Sequence, residues 1–264
     1  MKKYFLNFLN ALNWLVRFLR YSYLSVLKGK PQDVISEVAE KYIRSGDLVL
    51  DIGANNGMTA LLFSSLVKKN GHVVCYEPNS QHYKSLDFIS KNNFYKNIEI
   101  RKYGLSNITD QAVFYIDQRD GSQASTFDKF FYLKEKFIRG YIFVKSFASL
   151  AVLDKEKFKT IKFIKIDTEG SELEILKGGI ETIRINKPII LFEFFFDDSD
   201  NHFLTKKKDL FNFFESISYD INLLQIFYNQ QQSSNYCNFK ITRDYSFPSY
   251  TGVDLLALPI DYKT

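Results

Sequence analysis

Five short apolar runs lie between residues 47 and 194, most of them followed by a stretch of helical periodicity. They read DLVLDIGA, HVVCYEP, IEIRKYGLS, IKFIKID and PIILFEF. A strand with one wet face alternates apolar and polar residues, whereas most of these are nearly continuous and must be buried on both faces. Helices between them have to supply that cover. The order therefore dictates an α/β fold, a mostly parallel sheet clad on both sides. Helices are expected over 32–44, in GMTALLFSSLVKKN, in NSQHYKSLDFISKNN, in GSELEILKG, and from 205 to 217. Further strands are expected in AVFYID, INLLQIF and GVDLLALP. The least regular parts, 118–147 and 229–250, are candidates for covers over a site.

A chain of 264 residues can bury such a sheet in one domain, expected over 31–264. With 26 Phe and 17 Tyr, much of the core is expected to be aromatic. Cys75 and Cys237 are far apart and form no metal spacing, so a buried thiol at Cys75 and a reducing compartment are expected. The net charge is +5, but residues 1–30 hold six basic side chains and no acid, which leaves 29 basic against 30 acidic elsewhere. A body this close to neutral offers no footprint for nucleic acid.

The basic segment reads MKKYFLNFLNALNWLVRFLRYSYLSVLKGK. Phe5, Phe8, Leu9, Leu12, Leu15, Val16 and Leu19 fall on one side of a helix, and Lys3, Asn7, Asn10, Asn13, Arg17 and Arg20 on the other. Asn and Arg interrupt it too often for a bilayer span, and it lacks a signal peptide's apolar centre and cleavage site. Two readings stay open for residues 1–28. The helix lies on an anionic membrane surface, or its apolar face packs on the domain or a second subunit.

The strand ends carry the chemistry. In open α/β sheets ligands bind outside the carboxyl ends of the strands, where the strand order reverses. The first run ends in Asp51 and spills into Gly53, Asn55 and Gly57. The glycines let backbone approach a ligand closely. The second run ends in Glu77, 24 residues after Gly53, where an acid accepts hydrogen bonds from ribose hydroxyls. The pair points to an adenosine-containing cofactor. The turn G-A-N-N-G is not the G-x-G-x-x-G of NAD enzymes, and no Gly-Lys-Ser/Thr follows for a Walker A loop. The competing reading is a plain strand-to-helix turn capped by Asn.

DLVLDIGANNGMTALLF, HVVCYEPNSQHYKSL and IKFIKIDTEGSELEILKGG, in this order and spacing, resemble the FkbM family of S-adenosylmethionine-dependent methyltransferases. PIILFEF is similar to that family's following strand, so the resemblance covers roughly 35–195. Its most specific part is the string I-D-x-E-G-x-E, here Ile166 to Glu172. Many relatives carry His where this chain has Ser171, which argues against a mechanism that makes that side chain the general base. The resemblance implies a class I methyltransferase, Rossmann-like and doubly wound. Its seven-stranded sheet is mostly parallel, with the last strand antiparallel. It implies Asp51, Gly53, Asn55 and Gly57 around the methionine half of S-adenosylmethionine, Glu77 on the ribose, and the segment ending in Ser106 near adenine. It implies O-methylation of sugars, glycans, lipids or natural products.

Methyl transfer to an alcohol is an in-line displacement, and the alcohol's proton must go to a base or be displaced by a metal. Asp167, at the end of the fourth strand, is the leading base candidate. Glu169 and Glu193 are helpers, or ligands with Asp167 for a divalent cation. The plainer reading of Glu169 is an acid at a helix start. His202, in a polar loop after the fifth strand, is a reserve base. His72 is expected to be structural and His82 solvated. DGSQAST at 120–126 is either a cover over the substrate or a solvated turn. The expected acceptor is a sugar hydroxyl of a lipid-linked bacterial glycan, on the cytoplasmic side. The alternatives are a small natural product, or a cofactor-binding partner protein without catalysis.

Overall fold

Leu48–Ile52 (β1) is buried at every position, as a strand covered on both faces must be. It is an interior strand, third from one edge, of an eight-stranded sheet in the computed structural model, which describes residues 34–117, 137–146, 160–228, 234–247 and 251–262. The helix expected over 1–28 and the stretch 120–126 lie outside the described residues. Beside β1 run His72–Tyr76 (β2) and Ile98–Arg101 (β3) on one side, and Ile161–Ile166 (β7) and Ile189–Phe196 (β8) on the other. All five are parallel. Thr251–Pro259 (β11) joins β8 antiparallel, then come Tyr219–Tyr228 (β9) and Ser234–Lys240 (β10), giving the order β10-β9-β11-β8-β7-β1-β2-β3.

Seven of these strands match the expected doubly wound sheet, with β11 as its antiparallel member. The eighth, β10, corrects the expected count. It lies in the segment 229–250, and its Asn235 and Asn238 break the apolar run by which a strand is recognised. IEIRKYGLS is also not one strand. Its second half, Gly104–Ser106 (β4), leaves the main sheet and pairs with Phe137–Ser146 (β6), which in turn pairs with Asp110–Asp117 (β5).

Val34–Tyr42 (α1), Met58–Val67 (α2) and Tyr83–Asn92 (α3) cover one face, burying Val38, Phe63 and Leu86 with Val49, Val73 and Phe163. Glu172–Gly178 (α4), Ile180–Asn186 (α5) and Asn201–Ser216 (α6) cover the other, with Leu176, Ile183 and Phe214 against Ile164, Ile190 and Phe192. The aromatic core is borne out by contact. Phe63 meets Phe163 edge-on at 5.6 Å, Phe192 stacks on Phe214 at 5.4 Å, and Phe196 on Phe247 at 3.9 Å. Cys75 is a buried free thiol.

The chain runs outward from β1 to β2 and β3, then returns to β7 on the opposite side of β1. The order reverses between β1 and β7, so the crevice for a ligand opens where Gly53 and Asp167 leave their strands.

Candidate active site

Register across the sheet assembles the site. Asp51 is level with Cys75 on one side and Lys165 on the other, and Lys165 is level with Leu191. Side chains two residues apart share a face. The next level on that face therefore holds Glu77, Gly53, Asp167 and Glu193, and Glu193 stands directly opposite Asp254 on β11. The ladder persists that far: Glu77, Gly53 and Asp167 donate their N–H groups to the carbonyls of Arg101, Tyr76 and Ile52 at 3.1, 2.9 and 3.0 Å. Sequence-distant carboxylates are thus drawn into one transverse row at the carboxyl ends of the strands.

Glu77 anchors one end. It is 6% exposed, and its two oxygens accept the backbone N–H groups of Asn55 at 2.8 Å and Asn79 at 2.7 Å. Burial pushes its carboxyl up to about 7, against the pull of those N–H groups. Gly53, at φ 80°, cannot be replaced: a Cβ there would lie 1.8 Å from the Asp167 carbonyl oxygen. Gly57, at φ 87°, starts α2 in the same left-handed region, and the Asn56 side chain accepts from Met58 N at 3.2 Å. The N-cap is thus Gly57, without a side-chain cap, and an Asn ties the turn to the helix from one residue earlier; the turn also borders a cavity of about 250 Å³. Gly53, Asn55, Glu77, Asp167 and Glu169 line that cavity.

Asp51 sits below the lining. It is fully buried, and neither oxygen has a hydrogen-bond partner among the described residues. Burial raises its carboxyl to about 6, an effect limited by Lys165 with Nζ 3.5 Å away. Gly104 and Leu105 line the cavity, while Ser106 lies one residue further on and donates to Asn107 Oδ1 at 3.3 Å.

The other end of the row is crowded with acids. Asp167, Glu169 and Glu193 each offer an oxygen within 4.8 Å of the others. Burial, then Asp167 and Glu172, push Glu169 up to about 7. Burial, then Asp167, Glu169, Asp254 and Glu172, push Glu193 up to about 8. Three clustered carboxylates suit a hard divalent cation by donor type. They also suit proton acceptance near neutrality. Glu172 has a different task. Buried at the start of α4, it accepts from Thr168 N, Thr168 Oγ1 and Gly170 N at 2.9, 2.9 and 3.1 Å, and so holds the turn after β7. Ser171, also buried, precedes that helix.

His202 is the second residue of α6, where Asp200 accepts its backbone N–H at 2.7 Å, and it is not among the residues lining the cavity. His82 is corrected. It lines the cavity half-buried, because the 3-10 turn Ser80–His82 folds back beside Glu77, and burial lowers its pKa. His72 pairs with Glu99 at 3.5 Å, away from the row. The residue missed outright is Lys165. Its signal was a lysine at an inward position of a buried strand.

A cofactor with ribose hydroxyls and an amino-acid tail fits these residues. Glu77 presents a buried carboxylate at the cavity wall, and the Gly53 turn leaves no side chain between the cavity and the end of β7. The chain matches the methyltransferase FkbM domain over residues 51–221. Among curated proteins none matches it. Its fold is similar to that of the FkbM methyltransferase of Methylobacillus flagellatus, at 19% identity and TM-score 0.46, over 84% of this chain and 50% of that one. The chain thus spans half the length of that protein. It is also similar to a methyltransferase-like protein of Streptococcus mutans solved with S-adenosylhomocysteine, at 9% identity and TM-score 0.46, over 87% and 98% of the chains. A third similar structure is an S-adenosylmethionine-dependent O-methyltransferase of Thermotoga maritima, at 10% identity and TM-score 0.42, over 91% and 71%. Among the described residues no helix is long and apolar enough to cross a membrane.

Proposed function

The chain belongs to the FkbM family of S-adenosylmethionine-dependent methyltransferases, and from that premise we propose that it methylates a sugar hydroxyl of a lipid-linked bacterial glycan or polysaccharide. The observation that carries this reading is the single row that sets Glu77 and Gly53 beside Asp167 and Glu193. A binding protein without catalysis would need the first pair and not the second.

Bound S-adenosylmethionine supplies a methyl group activated by its sulfonium. Glu77 accepts hydrogen bonds from the ribose hydroxyls, and the turn of Gly53, Asn55 and Gly57 receives the methionine half, with Asp51 supporting it from below. Asp167 and Glu193 orient the acceptor hydroxyl and take its proton. Carboxylates accept hydrogen bonds from neighbouring hydroxyls as well, which suits a polyol. With the reactants held in line, alignment supplies much of the rate.

The lipid link rests on residues 1–28. Their apolar stripe and five basic side chains, in a chain otherwise near neutrality, suit the cytoplasmic face of an anionic membrane. In liposome flotation the full chain floats and a variant lacking residues 1–30 does not. Salt weakens flotation only in part, because each basic residue contributes about 1 kcal/mol that is screened, whereas the apolar contribution persists. If both stay soluble and the truncated chain loses stability or a dimer, the segment packs on protein.

The acceptor is tested by incubating the protein with S-adenosylmethionine and a panel of activated and lipid-linked sugars. Mass spectrometry should show a gain of about 14 Da on a sugar. A gain confined to small non-sugar natural products would overturn the glycan assignment.

A further inference from the structure

One ammonium reaches the wall of the cavity. Lys165 faces the site from near the carboxyl end of β7, with its side chain 5% exposed. Its Nζ donates to the Gly53 carbonyl at 3.1 Å, and lies 3.2 Å from Asp167 Oδ2 and 3.5 Å from Asp51 Oδ1. Burial alone would lower its pKa, but the carboxylates of Asp167 and Asp51 outweigh burial and hold it above the ordinary lysine range. The contacts span two strand ends. Gly53 belongs to the turn after β1, and Asp167 closes β7. The two ends are already so close that no side chain fits at Gly53. A displacement of either turn is therefore felt by the other.

We propose that Lys165 is a positioning residue for the donor: its ammonium, balanced by Asp51, locks the Gly53 turn against the end of β7 in the shape that receives the amino-acid half of S-adenosylmethionine. Three features support this. The ammonium hydrogen-bonds the backbone of the turn itself, at the wall of the cavity. Asp51 provides charge balance from a fully buried position, so the pair costs desolvation that a packed apolar pair would not. Glu77, which holds the opposite wall, is tied instead to Asn55 and Asn79, so the ribose end of the site keeps its own supports.

The inference rests on the placement of the donor given above, not on the acceptor. It separates the two ends of the cofactor, and two probes read them apart. Adenosine reports the ribose end, and S-adenosylhomocysteine adds the amino-acid tail. Removing Lys165 alone strands two carboxylates, so the test variant is Lys165→Met with Asp51→Asn, which removes the buried ammonium together with its fully buried counter-charge. Calorimetry should show adenosine affinity within about threefold of the parent and S-adenosylhomocysteine affinity lowered about tenfold or more, since small misplacement of a positioned group is costly. Lys165→Gln, which keeps a donor for the Gly53 carbonyl, should fold if the double variant does not, and should show the same split at smaller size. Unchanged S-adenosylhomocysteine affinity would overturn the proposal. So would an equal loss for both probes accompanied by a lower melting temperature, which would make Lys165 a fold element only. Because neither probe contains an acceptor, a failed sugar panel leaves this result standing.

Discussion

Glu77 and Glu193 stand in the same row, on the same face, three strands apart, and both are pushed upward by burial, to about 7 and about 8. Their surroundings differ in sign. Glu77 has two backbone N–H groups on its oxygens, whereas Asp167, Glu169 and Asp254 surround Glu193. One carboxylate is fixed by donors that cannot titrate, and the other is left to share protons with its neighbours. In the proposed function the same residue type, at equivalent ends of one sheet, serves as a binding group in the first case and a proton-handling group in the second. The partner, not the residue, sets the role.

The comparison is broken most sharply at Asp167. Asp167→Asn should cost about 100-fold or more in turnover if the acid end handles the acceptor's proton. EDTA should leave the parent's turnover unchanged, because the Lys165 ammonium 3.2 Å from Asp167 already supplies the positive charge that a cation would bring. Inhibition by EDTA that is restored by Mg²⁺ would instead assign Asp167, Glu169 and Glu193 to a metal.

The next effect is on pH. The carboxyl of Glu77 is raised from 4.5 to about 7 in the folded protein. A group whose folded value is raised stabilises the fold fully below its unfolded value. That contribution is lost as pH rises through about 7. Donor binding has the opposite dependence, because the ribose hydroxyls need an ionised acceptor. S-adenosylhomocysteine affinity should therefore rise about tenfold per pH unit up to 7 and level off above it. Calorimetry from pH 5 to 8 gives the slope, and a flat profile would remove Glu77 from the linkage.

The smallest effects are expected outside the row. His202 sits on the first turn of α6, and Ser106 lies beyond the cavity lining. His202→Ala should keep turnover, and Ser106→Ala donor affinity, within about threefold of the parent, since neither loses a contact that differs between bound and free states. A 100-fold loss in the His202 variant would move the base to that helix.

The donor end was legible because its chemistry is local. A glycine turn after an apolar run, and an acid closing the next run, lie within 27 residues of one another, from Asp51 to Glu77. The acid end was legible only in part. Asp167 and Glu193 were visible as strand ends, but Asp254 becomes their neighbour only through the antiparallel register of β11. Lys165 was opaque for a similar reason. IKFIKID contains two lysines; Lys162 is exposed and Lys165 buried, and the difference appears only when β1 brings Asp51 alongside. His82 was misplaced because a polar residue early in a helical pattern reads as solvent-facing until the 3-10 turn before α3 folds it into the wall. β10 was missed because its pairing with β9 supplies order that its own polar sequence does not advertise.

The division between a binding end and a proton-handling end is tested most directly by one calorimetric measurement, the S-adenosylhomocysteine dissociation constants of Glu77→Ala and Asp167→Asn side by side. The account predicts a loss of about 1–3 kcal/mol for Glu77→Ala, because the ribose hydroxyls lose a charged acceptor. It predicts an affinity within about threefold of the parent for Asp167→Asn, whose isosteric amide still accepts from Lys165. Equal losses in the two folded variants, or an unchanged dissociation constant for Glu77→Ala, would contradict it.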